Sequence, residues 1–386
     1  MPSSQSTGVK ICIVHNDYGK FSGEEAVVRD HVALFRAKGC DVVEFHRSSE
    51  ELKGLCGKIK GFVCGIWNPF SVRRFAEFLD TEKPNIVHIH NLYPLINPAV
   101  LPEAKKRGIR VVMTVHNFRL FCPSGLFAVD NGICEECALE KSVRPCMRRN
   151  CLHSRFKTIG YALRHWRTVQ YYMENVNCFL CLTPFQMRKL VQYGVPEEKC
   201  RILPNFIDDA WLEKTINAQA GSGDYVAYMG RLSEEKGIDI ILDAARQLPH
   251  IQFRLAGNGE EAFREEAPSN VSFVGYVTGE AQFNFLRNAR LHVMASRCYE
   301  NFPTSLLQTM ALGIPSVVPA DGPMADIVGE AGIAFKSGKL AETLDALYGD
   351  STGRQRCHEA ALRHIQKFTA ERYWELYSQL LQKTLA

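Results

Sequence analysis

SRCYENFPTSLLQTMALGIPSVVP, running from Ser296 to Pro319, is the stretch whose reading settles the fold. Val293, Met294 and Ala295 ahead of it read as the end of a strand. Glu300-Asn301-Phe302-Pro303-Thr304 reads as a polar turn, Ser305 to Leu312 as an apolar helix stopped by Gly313, and the residues beyond as a buried strand. Strand, helix and strand in so short a span make one βαβ unit, with the Glu300 carboxylate at the carboxyl end of its first strand. Open α/β sheets bind ligands at that edge, where the first-turn amides of the following helix are donors without partners. Taken alone, a carboxylate before a helix also fits a simple interaction with the helix dipole.

A second stretch, YVAYMGRLSEEKGIDII from Tyr225 to Ile241, has the same character. An apolar strand ends in Gly230-Arg231-Leu232, and Lys236-Gly237 stand just before a helix. Arg231 and Lys236 are therefore placed to converge on one anion, a planar guanidinium fork beside a compact ammonium. Glycines at both junctions favour a diphosphate site over two solvated surface cations.

With RLAGNGE (Arg254 to Glu260), VSFVGYV (Val271 to Val277) and ILPNFID (Ile202 to Asp208), these motifs resemble the retaining nucleotide-sugar glycosyltransferases of family four, group 1, which have the GT-B fold. HNDYGKFSGEE (His15 to Glu25) is similar to that family's glycine-containing N-terminal loop, and VVMTVHNF (Val111 to Phe118) to its strand ending in an active-site histidine. The resemblance implies an α/β protein of two Rossmann-like, doubly wound parallel-sheet domains. It implies a donor site of Ser22, Gly23, Asn205, Gly230, Arg231, Lys236, Gly257, Glu300, Asn301, Phe302, Pro303, Thr304 and Gln308, with Glu300, His116, Arg231 and Lys236 carrying the chemistry. Glu300 would face the donor sugar, Arg231 and Lys236 would neutralise the leaving diphosphate, and His116 would contact the transferred sugar. The backbone near Ser22 and Gly23 would approach the phosphates where a side chain would be in the way. His90 is a secondary candidate on the acceptor side. No catalytic metal is implied, since the two cations supply the charge. One departure stands out: the family usually places a second Glu eight residues after the first, and this chain has Gln308, an uncharged acceptor for ribose hydroxyls.

At 386 residues the chain exceeds one ordinary core, and two domains are expected. The expected boundaries are 1–208 for the N-terminal domain, 209–223 for a polar Gly-Ser-Gly hinge, 224–368 for the nucleotide-sugar domain, and 369–386 for a last helix crossing back to the first domain. In the N-terminal half, strands at Lys10 to His15, Asp41 to Phe45, Ile86 to His90, Val111 to Val115 and Cys178 to Thr183 alternate with helical patterns. That alternation implies a parallel sheet. No apolar run reaches the roughly 18 residues of a membrane span, and MPSSQSTG has no signal-peptide pattern, so a cytoplasmic protein is expected.

Charge is uneven. Residues 1–208 hold 29 Lys and Arg against 20 Asp and Glu, whereas residues 209–386 hold 17 against 22. Lys141, Arg144, Arg148, Arg149, Arg155, Lys157, Arg164 and Arg167 fall between Lys141 and Met173 without a single acid. No nucleic-acid motif accompanies them, and an anionic membrane surface or a lipid-linked acceptor fits the charge, which predicts a peripheral protein at the inner face of the membrane. Phe156, Ile159, Leu163, Trp166 and Met173 share one helical face there, expected to pack in the core with the cations on the other side.

Fourteen cysteines in a chain of this expected location point to reduced thiols or metal rather than disulfides. In the insertion 121–153, Cys134, Cys137, Cys146 and Cys151 form a candidate structural zinc set, with Cys122 or His153 as replacements. Plain thiols are the alternative, and a disulfide the third. The leading function is transfer of a sugar from a nucleotide diphosphate to a lipid-linked or other glycan acceptor in surface polysaccharide assembly. Another GT-B enzyme, such as a sugar-nucleotide epimerase, and a non-catalytic nucleotide-sugar-binding subunit, motivated by Gln308, are the alternatives.

Overall fold

The structure is a computed structural model that describes residues 8–17, 23–52, 54–129, 132–216, 218, 223–259 and 261–385. The chain divides into two compact units: Met1–Phe127, Cys134–Leu203 and Trp374–Ala386 form the first, and Ala128–Ile133 with Pro204–Tyr373 the second. The last helix, Ala370–Leu385, thus contributes its residues from Trp374 onward to the first unit.

The first unit is built on six parallel strands in the order Asp41–Ser48, Lys10–Asp17, Ile86–Ile89, Arg110–Thr114, Cys178–Cys181 and Cys200–Ile202. The central strand Ile86–Ile89 is buried throughout, as expected where helices cover both faces. The helix Gly23–Ala37 starts with Glu24 and Glu25 in its first turn and ends on Arg36, matching its dipole, and it buries Val28, Val32 and Phe35. On the helix Ala370–Leu385, Tyr377 is fully buried; its ring stacks on Phe35 at 4.6 Å. Its hydroxyl hydrogen-bonds with His88 Nδ1 at 3.1 Å, and His88 Nε2 with Thr114 Oγ1 at 2.8 Å.

The second unit repeats the architecture with the order Val271–Gly275, Gln252–Ala256, Tyr225–Met229, Leu291–Val293, Ser316–Pro319 and Gly332–Phe335, again all parallel. Its core gathers Val226, Tyr228, Ile241, Phe253, Leu255, Val293 and Val317. Between its first and fourth strands in chain order, the winding reverses. That reversal opens a crevice at the strand ends.

Two expectations need correction. The segment expected as a hinge opens with a helix, Asp209–Thr215, whose cap is the Asp208 carboxylate accepting from Ala210 N at 3.1 Å. Trp211 anchors it, buried edge-on against Phe283 at 5.3 Å, which the polar composition around it concealed. On the long helix Arg155–Asn175 the expected faces are exchanged. Thr158, Gly160, Ala162, Arg164 and Thr168 are buried, while Phe156, Ile159, Leu163 and Trp166 are exposed. Gly160 is what lets this helix approach its neighbour Gly54–Ile66, because a Cβ there would lie 2.2 Å from the Phe62 ring.

Replacing Tyr377 by Phe keeps the stacking and removes the hydroxyl, leaving a buried imidazole nitrogen without its partner. Chemical denaturation should show a loss of roughly 1–2 kcal/mol, with Thr114→Val causing a loss of the same order through the other nitrogen.

Candidate functional site

In the second unit, the loops after Tyr225–Met229 and Leu291–Val293 meet at the winding reversal. Lys236 and Glu300, 64 residues apart, form an ion pair with little solvent exposure, and Ser296 Oγ donates to the same Glu300 oxygen at 2.8 Å. Burial works to raise the Glu300 carboxyl, but the Lys236 charge, its hydrogen bond and the Ser296 hydroxyl outweigh it, holding the group below the usual carboxylate range. Lys236 is conversely held charged against its own burial by Glu300. Arg231 stays mostly exposed, 3.0 Å from Glu235, with its charge still felt at Glu300.

Glycines allow this approach. Gly237 has φ +69°, and a Cβ on it would lie 2.0 Å from the Ala295 carbonyl oxygen; a Cβ on Gly257 would lie 1.8 Å from the Gly230 oxygen. The helix Thr304–Ala311 begins after Pro303 without a side-chain cap, so its first amides face the turn Asn301–Pro303 unclaimed by any cap. Phe302 is buried edge-on against Phe368 at 5.5 Å, and the Phe368 carbonyl accepts from Ile207 N at 2.8 Å, two residues beyond Asn205. Asn205 is itself buried, its Oδ1 without a hydrogen-bond partner.

Sequence reasoning missed several supports. Arg297 forms a two-pronged pair with Asp239 and donates its backbone N–H to the Glu235 carbonyl at 2.9 Å, so the two loops are tied to each other. Tyr228 Oη donates to the Arg231 carbonyl at 2.8 Å. Nothing in their spacing signals either contact, since both depend on loops brought together by the fold. The amide oxygen of Gln308 accepts from Gln282 Nε2 at 2.9 Å and its carbonyl from Trp211 Nε1 at 3.3 Å. The amide oxygen keeps a second lone pair.

At the matching edge of the first unit, histidines collect. His116 Nε2 and His90 Nδ1 share a proton at 2.7 Å, and the His90 ring stacks on His88 at 4.5 Å. His31, His88 and His90 bring ring nitrogens within 4.8 Å of one another. Both nitrogens of His88 are nevertheless taken by Tyr377 and Thr114, whereas His90 Nε2 is buried without a hydrogen-bond partner. Burial pushes His88 and His116 down to about 3, and His15 to about 4. All are neutral at pH 7. Gly23 begins the helix Gly23–Ala37 with nothing within 4 Å of a Cβ placed on it, so the described residues do not crowd it; Ser22 lies outside the described residues.

The candidate zinc thiols are brought to one place. Cys137 is pushed up to about 12, first by burial and then by Cys122, Cys151 and Cys134 around it, and Cys146 hydrogen-bonds with Cys151. Every described cysteine is free of a disulfide. No three of the described sulfurs all lie within 4.8 Å of one another, whereas tetrahedral Zn–S bonds of about 2.3 Å would draw them to roughly 3.8 Å. The set therefore has the right ligands in a looser arrangement than a bound ion would impose.

The helices Gly54–Ile66 and Arg155–Asn175 together present Ile59, Val63, Phe156, Ile159, Leu163 and Trp166 to solvent, with Trp67 and Phe70 beside them. Phe62 stacks on Phe156 at 5.2 Å, and the Arg167 guanidinium lies 5.6 Å from the Trp67 ring centre. Among the described residues, no helix is long and apolar enough to cross a membrane.

Two family models match the chain: one described as Glycosyltransferase Family 4 over residues 21–211, and one described as Glycosyl transferases group 1 over residues 223–350. Among curated relatives, the chain is 28% identical over 234 residues to the lipopolysaccharide core biosynthesis glycosyltransferase LpsE of Rhizobium meliloti, covering 54% of this chain and 65% of that one. It is 29% identical over 171 residues to mannosylfructose-phosphate synthase of Agrobacterium fabrum, covering 37% of each. The matched segments thus span less than two thirds of these relatives' own lengths. Among solved structures, sucrose-phosphate synthase from Thermosynechococcus elongatus is similar with a TM-score of 0.70 at 16% identity, covering 97% of this chain and 98% of that one. Anabaena Alr3699/HepE in complex with UDP is similar with a TM-score of 0.65 at 14% identity, covering 97% and 100%.

The histidine cluster sets a pH dependence for the first unit. A histidine whose folded pKa is depressed is protonated more readily when unfolded, so its contribution is intact above the unfolded value near 6.5 and is lost as pH falls below it. Denaturation at pH 5.5 should find the first unit weaker than at pH 7.5 by about 1 kcal/mol for each such histidine, and His88→Gln should flatten the profile. In the second unit, Gly237→Ala should cost about 2 kcal/mol or more, because it adds both a strained φ and a clash with a backbone oxygen.

Proposed function

The chain belongs to the family 4, group 1 glycosyltransferases and has the GT-B fold, and from that premise we propose that it is a retaining enzyme moving a sugar from a nucleotide diphosphate to a glycan or lipid-linked acceptor in polysaccharide or glycoconjugate assembly. The observation that carries the reading is the Lys236–Glu300 pair beside an uncapped helix start at the winding reversal. Glu300, held ionised, is an acceptor for hydroxyls of the donor sugar. The first-turn amides of the helix Thr304–Ala311, which has no side-chain cap, suit its distal phosphate. Lys236, and Arg231 swinging from its exposed pair with Glu235, would stabilise charge as the diphosphate departs. His116, neutral and bonded to His90, is a hydrogen-bonding ring suited to a sugar hydroxyl. UDP in the Alr3699/HepE complex is in keeping with a nucleotide donor.

Glu300→Gln and Lys236→Met should each lower kcat/KM by a factor of a hundred or more, equal to about 3 kcal/mol of transition-state stabilisation, in protein that still folds. Near-normal turnover in folded Glu300→Gln would remove this site from the mechanism. Binding of UDP with no product from any donor and acceptor pair tried would favour a non-catalytic nucleotide-sugar subunit.

The exposed face of Gly54–Ile66 and Arg155–Asn175 supports a second part of the proposal, attachment to an anionic membrane surface. Arg155, Lys157 and Arg167 flank eight exposed apolar side chains, and the helix Arg155–Asn175 has Glu174 as its one acid. An amphipathic face with aromatics among cations lies in a lipid interface rather than across it, each cation adding about 1 kcal/mol at an anionic surface. Phe156→Ser with Trp166→Ser, both at exposed positions, should reduce sedimentation with anionic vesicles at least tenfold. Unchanged sedimentation would exclude this face.

For the thiols we propose one structural zinc held by Cys134, Cys137, Cys146 and Cys151, which would anchor the loop between Phe121 and His153. Metal analysis should find about one zinc per chain, lost in Cys137→Ser. Metal-free protein with every thiol titratable would leave reduced cysteines.

A further inference from the structure

At the end of the first strand one imidazole is buried with nothing to bond. His15, on Lys10–Asp17, is 2% exposed, and among the described residues neither of its ring nitrogens has a hydrogen-bond partner. A neutral imidazole has one N–H to donate and one lone pair to fill, and a dry site that meets neither is costly. Carboxylates nevertheless stand close on both sides of the ring. Asp17 Oδ1 lies 3.2 Å from Nε2, and Glu24 Oε1 lies 3.9 Å from Nδ1. Glu25 brings a third donor, because one ligand atom each from His15, Asp17 and Glu25 lie within 4.8 Å of one another. Asp17 and Glu25 are only partly buried, so water reaches the group from outside.

The distance between His15 Nε2 and Asp17 Oδ1 is that of neighbouring ligands on one ion, since metal bonds of about 2.1 Å set adjacent donors roughly 3.0–3.4 Å apart. Asp17 is also held in place from behind. Its Oδ2 hydrogen-bonds with His46 Nε2 at 2.6 Å, and its backbone carbonyl accepts from Ser49 Oγ at 2.6 Å. We propose that His15, Asp17 and Glu25 bind one divalent first-row transition ion, with water completing the exposed positions and Glu24 and His46 orienting the ligands from outside. One imidazole with two carboxylates suits Mn²⁺, Fe²⁺ or Zn²⁺, whereas Mg²⁺ and Ca²⁺ take oxygen donors. The ion fills the lone pair of Nε2 and leaves Nδ1–H directed at Glu24, the partner a ligating histidine ordinarily finds in a carboxylate. Its role is structural. His15 and Asp17 close the strand Lys10–Asp17 and Glu25 lies in the first turn of the helix Gly23–Ala37, so one ion ties strand to helix. Sugar transfer is no part of that role, and the site stands whether or not the chain is a transferase.

Titration of nucleotide-free protein with Mn²⁺, followed by the electron paramagnetic resonance of the free aquo ion, tests this. Thiolates are poor ligands for Mn²⁺, so the cysteines do not interfere. Wild type should take up about one Mn²⁺ per chain, and Asp17→Asn and Glu25→Gln should each bind it at least tenfold more weakly. His15→Gln should lose it as well; if that variant does not fold, the two carboxylate variants, at partly exposed positions, carry the comparison. Zn²⁺ should displace the bound Mn²⁺ and return the free signal, following the ordinary order of affinities, while Mg²⁺ at the same concentration should not. No uptake by wild type at millimolar Mn²⁺, uptake unchanged in either carboxylate variant, or displacement by Mg²⁺ as readily as by Zn²⁺ overturns the proposal.

Discussion

The pairing of Lys236 with Glu300 is the constraint around which the second unit is arranged. Neither charge has much access to water, and each would cost several kcal/mol without the other. Holding them together requires loops from two different strands to meet at the winding reversal. Arg297 binds those loops through Asp239 and the Glu235 carbonyl, and Tyr228 fixes the Arg231 carbonyl. Gly237 and Gly257 are needed because backbone oxygens lie where a side chain would begin. A packed parallel sheet provides the frame, and the ion pair joins the loops that follow two of its strands.

The first unit solves the opposite problem at its corresponding edge. It collects imidazoles, which lose charge on burial and hydrogen-bond as neutral rings, so no counter-ion is required. Tyr377 and Thr114 complete His88, and His116 bonds to His90 Nδ1 while His90 Nε2 is left without a partner. Against that neutral background Arg164 stands out, since a guanidinium cannot discard its proton and has only aromatic faces beside it. The two edges are thus chemically distinct: one holds a satisfied pair of charges beside a helix start without a side-chain cap, the other a buried guanidinium among neutral rings.

The exchange of faces on Arg155–Asn175 gives the first unit its outward character. Burying Arg164 against Tyr93 and Tyr161 turns Phe156, Ile159, Leu163 and Trp166 to the outside, where they join the apolar residues of Gly54–Ile66. One rotation of a helix therefore accounts for both the inward cation and the exposed apolar surface. Gly160 permits it by letting Phe62 press against the helix backbone.

Local pattern was enough for most of the fold. Strands such as Ile86–Ile89 and Tyr225–Met229 are short apolar runs bounded by turn residues, and βα junctions announce themselves through glycines and caps that act within a few residues, so the parallel sheets, the ENFPTS loop and the Arg231–Lys236 turn were legible in the chain. What lies between distant residues was not. The periodicity of Arg155–Asn175 showed that the helix has two faces but not which one is buried, because that depends on Phe62 and Tyr93 arriving from elsewhere against Gly160 and Arg164. The polar run after Asp208 hid a helix held by one tryptophan, and nothing near Gln308 in the chain announced its bond with Gln282. Hydrogen bonds, ring stacking and ion pairs act over a few ångströms between segments tens of residues apart, and only the tertiary structure decides which segments those are.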